Sequence, residues 1–145
     1  MMLSPNFHLD EFTNSETAAR RGIDNTPPPA VLAALRRTAA RMELVRTILG
    51  GKPILITSGY RSPPLNRAVG GSKTSAHMRG EAADFICPGF GSPLAICRAL
   101  AIQADLPYDQ IIEEGTWVHI GFAATPRREV LTKRPGGGYA PGLRP

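Results

Sequence analysis

Gln110-Ile111-Ile112-Glu113-Glu114-Gly115-Thr116-Trp117-Val118-His119-Ile120-Gly121-Phe122 reads as two short strands around a Gly-Thr turn, the signature of a β-hairpin. Side chains alternate across a strand, so His119 shares a face with Trp117 and Gly121, while Val118, Ile120 and Phe122 point the other way. Upstream, Ala82-Ala83-Asp84-Phe85-Ile86 reads as another strand, and Pro53-Ile54-Leu55-Ile56-Thr57 as a buried one. Between them, Ser58 to Gly80 is rich in Gly, Ser and Pro, a long loop of the kind that usually has a functional reason. Val31, Leu35, Ala39, Met42, Val45 and Leu49 recur at helical spacing after Pro27-Pro28-Pro29, with Gly50-Gly51 as the stop. A second helix opens at Ser92-Pro93 and runs to about Ala104. Helices that do not strictly alternate with strands favour an α+β domain, an antiparallel sheet with flanking helices.

The chain has 145 residues and is 42% hydrophobic, which suits a single core. The domain is expected over residues 1–125. Its N-terminal arm is expected to hold only short helical pieces, one at Asp10-Glu11-Phe12 and one from Glu16 to Arg21, capped by Ser15 and ended by Gly22. Residues 126–145 read as a flexible basic tail rich in Gly and Pro. The formal charge is +5, and the tail holds Arg127, Arg128, Lys133, Arg134 and Arg144 against Glu129, so most of the excess sits there. That placement argues for attraction to an anionic surface and against a nucleic-acid groove. Cys87 and Cys97 lack metal or redox spacing and read as buried apolar residues. No apolar run reaches the roughly 20 residues of a membrane span. The N-terminus lacks a secretory pattern, so synthesis in the cytoplasm is expected.

A catalytic zinc site needs three protein donors and an open fourth position. His77, Asp84 and His119 are the candidates. Gly80 permits a sharp turn that folds His77 back over Asp84, and a carboxylate in so apolar a strand requires a compensating charge or a metal. His-Glu-x-x-His, the helical zinc motif, does not occur.

The pattern Ser-x-His-x-x-Gly-x-Ala-x-Asp at Ser75, His77, Gly80, Ala82 and Asp84 lies between Ser58-Gly59-Tyr60-Arg61-Ser62 and Trp117-Val118-His119. In this order the motifs resemble the zinc D-Ala-D-Ala carboxypeptidase and peptidoglycan endopeptidase family, particularly its compact phage and prophage members, over roughly residues 5–122. The resemblance implies a Hedgehog/DD-peptidase fold and Zn2+ held by His77, Asp84 and His119. It also implies hydrolysis of amide bonds in peptidoglycan stem peptides, as a carboxypeptidase or an endopeptidase, with endolysin-like release to the cell wall; separately, a monomeric chain is expected. Arg61 maps to the family's arginine that contacts the substrate carbonyl or carboxylate, and Ser75 and Tyr60 are candidates to orient the peptide. The family's acid three residues before the last histidine is Thr116 here. Glu113 and Glu114 are the alternative catalytic bases, and strand alternation lets only one face the metal. The rival reading is a non-catalytic zinc-containing cell-wall-binding module of the same fold.

Overall fold

The computed structural model describes residues 1–144. The quoted hairpin forms β5 (Gln110–Glu113) and β6 (Val118–Gly121), paired antiparallel with Ile112 opposite His119. It sits inside a six-stranded sheet with β3 (Leu55–Ser58), β4 (Ala82–Ile86), β7 (Glu129–Lys133) and β8 (Tyr139–Pro141), in the order β3-β4-β6-β5-β7-β8. All neighbours are antiparallel except β5 and β7. A separate hairpin, β1 (Met2–Ser4) with β2 (Phe7–His8), begins the chain. The molecule is thus α+β with a mostly antiparallel sheet.

The helices are α1 (Leu9–Thr13), α2 (Glu16–Arg21), α3 (Pro29–Ile48), α4 (Pro63–Ala68) and α5 (Pro93–Ala101). In α3, Leu35, Ala39, Met42 and Val45 are fully buried at the anticipated spacing. They join Ile96, Cys97 and Leu100 of α5 in one core with Ala83, Phe85, Ile111, Val118 and Ile120 of the sheet. Period-2 alternation therefore commits one face of the central strands to the helices and leaves Asp84 and His119 on the other. Cys87 and Cys97 are buried free thiols, and burial pushes Cys97 up to about 12. No helix among the described residues is long and apolar enough to cross a membrane.

Three expectations are corrected. Among the described residues, 126–144 are not a flexible tail: 129–133 and 139–141 are β7 and β8, and Arg134 N–H bonds the Gly138 carbonyl at 2.9 Å to close their turn. The strand after Ile54 is only half-buried: β3 lies at the sheet's edge, so Ile54 and Ile56 pack on the core while Leu55 is 54% exposed. The supposed loop from Ser58 to Gly80 contains α4, capped by the Ser62 hydroxyl on Leu65 N–H with Pro63 in its first turn, and a 3-10 helix at Ala76–Arg79.

The N-terminal arm is tied down by polar side chains. Asn25 donates to the carbonyls of Thr13 and Tyr60 and accepts from Ser62 N–H. Glu43 of α3 accepts from Ser4 Oγ, Asn6 N–H and Asn6 Nδ2.

Candidate metal centre

Asp84 on β4 stands directly opposite His119 on β6, so two potential ligands face each other across one antiparallel pair. His77 arrives from the 3-10 helix, which Ser75 begins by accepting the His77 backbone N–H and Gly80 ends. Gly80 holds φ at 72°, a left-handed conformation costly for other residues, and a Cβ there would lie 3.0 Å from the Val31 carbonyl. Thr38 of α3 fixes this turn by donating to the Gly80 carbonyl at 2.6 Å. The chain is thereby forced back over the sheet, placing His77 above Asp84.

Asp84 Oδ1 lies 3.2 Å from His77 Nε2 and 2.9 Å from His119 Nδ1. Donor atoms of the three residues all lie within 4.8 Å of one another. Tetrahedral bonds of about 2 Å put ligand atoms about 3.3 Å apart, so the cluster has the dimensions of a metal site. His77 Nδ1 is 2.7 Å from the Gly59 carbonyl. A carbonyl can only accept, so Nδ1 carries a proton and Nε2 is the ring atom that faces the cluster, where it would give its lone pair to a metal. Gly59 must be small for this approach, since a Cβ there would meet the Phe12 backbone at 2.6 Å.

His77 is 2% exposed and His119 9%. Burial opposes ionisation of Asp84, but hydrogen bonds from His119 and His77 outweigh it and hold its carboxyl well below the usual range. A carboxylate between two imidazoles suits a borderline-soft divalent cation. Three donors at the floor of an open cleft leave room for a fourth ligand from solvent, as a catalytic site requires.

The two glutamates part company as alternation dictates. Glu113 pairs with core-facing Val118 and accepts the Gly115 N–H, and its charge is felt by Cys97 of α5. Glu114 lines the cleft with the three donors. Burial first, and the charge of Asp84 second, raise its carboxyl above the usual range. Arg61 also lines the cleft, where burial lowers its proton affinity and its Nε has no partner. Ser75 borders the same cavity, but its hydroxyl caps the turn carrying His77. Tyr60 does not line this cleft: it is 4% exposed, belongs to the core, and borders the neighbouring cavity.

Sequence reading missed the far wall. Lys133 and Tyr139 line the cleft, and the Tyr139 hydroxyl donates to Glu114 Oε1 at 3.2 Å. Their signal was faint: Val130 and Leu131 beside a Gly-rich turn, within a basic segment.

An α+β scaffold with a His-Asp-His cluster open to a cleft defines the class, and sequence comparison supplies the family. The Peptidase M15 family pattern matches residues 5–121, and the chain belongs to that family. A stretch of 47 residues is 43% identical to the zinc D-Ala-D-Ala carboxypeptidase of Streptomyces albus G. It covers 32% of this chain and 18% of that protein, so the chain spans less than a fifth of that relative's length.

Proposed function

We propose that this chain is a zinc-dependent peptidase acting on peptidoglycan stem peptides, with His77, Asp84 and His119 as ligands, in a domain of the Hedgehog/DD-peptidase type. The observation that carries this reading is the three-donor cluster lying in one cleft with Glu114 and Arg61. The similarity to a zinc D-Ala-D-Ala carboxypeptidase supports both metal and substrate class. Zinc, when bound, supplies Lewis-acid polarisation of a carbonyl and makes water acidic near neutral pH.

The chain's own residues do the remaining work. Glu114 accepts the proton of the attacking water and passes it to the departing amine, a task suited to a carboxylate of raised proton affinity. Arg61, whose side chain lines the cleft, donates from its guanidinium to the carbonyl oxygen as negative charge develops there. Tyr139 holds the Glu114 carboxylate in place. A buried imidazole on the sheet and another on the 3-10 helix above it restrain the ligands before substrate arrives.

Cavities of about 670 Å³ and about 680 Å³ meet at Arg61 and Asp84, one along β3 and α2, the other toward β7 and β8. A peptide can therefore extend to both sides of the cluster, which favours cleavage of an internal bond over trimming of a terminal residue. Zinc-loaded protein incubated with purified sacculi is expected to release shortened muropeptides, with free D-alanine only a minor product. Binding to sacculi without any product, unchanged by Glu114→Gln, would favour the non-catalytic wall-binding reading.

A further inference from the structure

The family match ends at residue 121, yet the cleft does not. β7 runs parallel to β5 with Thr132 beside Glu113, and Lys133 pairs with Tyr139 across β7 and β8. Thr132 is buried and bonds the Gly142 carbonyl, so alternation turns Lys133 to the opposite face, the one carrying Glu114. The last two strands thus add a wall to a cleft whose floor the family-matched segment builds.

The cations lining the cleft are unequal in their commitments. Arg127 donates to both oxygens of Asp109 at 3.0 and 2.9 Å, and Arg79 donates to Glu81 at 2.7 Å. Lys133 has no carboxylate within 4.0 Å among the described residues. Its ammonium instead lies 5.6 Å from the Trp117 ring centroid, in cation–π range. Trp117 Nε1 is itself buried without an acceptor, and both residues line the cleft. The wall therefore presents an exposed ammonium with no carboxylate partner, positioned by the Trp117 ring, next to the Glu114 that the hydrolytic reading makes the base.

We propose that Lys133, held against the Trp117 ring, is a specificity site for a carboxylate on the substrate peptide, on the Glu114 side of the cleaved bond. The preferred substrate is an acidic peptide, and its amidated counterpart is a poorer one. This inference rests on the hydrolytic reading of the cleft. A lysine ammonium is a point charge, so it selects charge more than shape.

The test uses the full zinc-loaded chain and two synthetic stem peptides that differ only in carrying a free carboxylate or its amide beside the cleaved bond. Wild type is expected to favour the acid in kcat/KM by about fivefold, the scale of a solvent-accessible ion pair, expressed mainly in KM. Lys133→Met should bring the acid-to-amide ratio to about one, and Lys133→Arg should restore most of it. Using the ratio removes any general loss of activity. A wild-type ratio near one, or a preference surviving in Lys133→Met, overturns the proposal. If wild type cuts neither peptide, the hydrolytic reading fails instead. The same pair is then compared by equilibrium binding, where equal Kd for acid and amide overturns the proposal and a preference lost in Lys133→Met supports it.

Discussion

Asp84 and His119 stand on central strands, opposite one another in register and backed by Ala83, Phe85, Val118 and Ile120, all fully buried. Lys133 and Tyr139 stand on the last two strands, and both are exposed. One region fixes its side chains by packing and by a shared carboxylate, and the other by a single hydrogen bond and a cation–π contact. The floor of the cleft is therefore rigid before any ligand binds, whereas the wall is held loosely enough to vary with substrate. Chemistry that needs fixed geometry belongs on the floor, and discrimination between substrates on the wall.

Breaking the floor should have the largest effect. Asp84→Ala leaves two buried imidazoles without their common partner, and activity on muropeptides should fall by at least about ten thousandfold through loss of the metal. Glu114→Gln keeps the ligands and removes the proton acceptor. It should lower kcat by about a hundred- to a thousandfold with metal content intact. Glu113→Gln, on the face turned toward α5, should stay within about threefold, and equal effects of the two substitutions would remove the distinction drawn between them.

Changes at the wall should be milder. Tyr139→Phe deletes the 3.2 Å bond to Glu114 and should reduce kcat several-fold, roughly the effect of one hydrogen bond, with KM and melting temperature little changed. A fall in melting temperature without a fall in kcat would make Tyr139 a brace for β8 and nothing more.

The smallest effect concerns how the wall is attached. Hydrogen bonds from Arg127, opposed by partial burial, hold the Asp109 carboxyl below its ordinary value of 3.8. Its folded-state proton affinity is depressed, so the stabilisation is fully present above the unfolded value and is lost as pH falls below about 4. Asp109→Asn should cost about 1 kcal/mol at pH 7, discounted because Arg127 is exposed, and less at pH 3. Thermal melts at the two pH values check the sign.

The same contrast governs what the sequence disclosed. The floor was legible because each signal was local: alternation in Trp117–Phe122 turned His119 away from the core, and an aspartate inside Ala82–Ile86 was anomalous in an apolar strand. The long helix was legible from its stripe and its Pro and Gly boundaries, and it runs from Pro29 to Ile48 as the spacing required. The wall was illegible because β7 owes its existence to a non-local parallel pairing with β5. Gly136, Gly137 and Gly138 all have positive φ and make a turn there, although the same composition also describes a flexible linker. Tyr60 shows the converse difficulty. The motif located it beside Arg61, but the fold buries its ring in the core, with its N–H on the Phe12 carbonyl, while leaving Arg61 at the cleft.

Zinc stoichiometry, measured by atomic emission on protein purified without chelators, with His77→Ala beside it, tests the central claim most directly. One zinc per wild-type chain and almost none in the folded variant is the expected result. A wild-type chain that takes up no zinc even when it is supplied, or a variant that retains it in full, would contradict the convergence of His77, Asp84 and His119 on one ion.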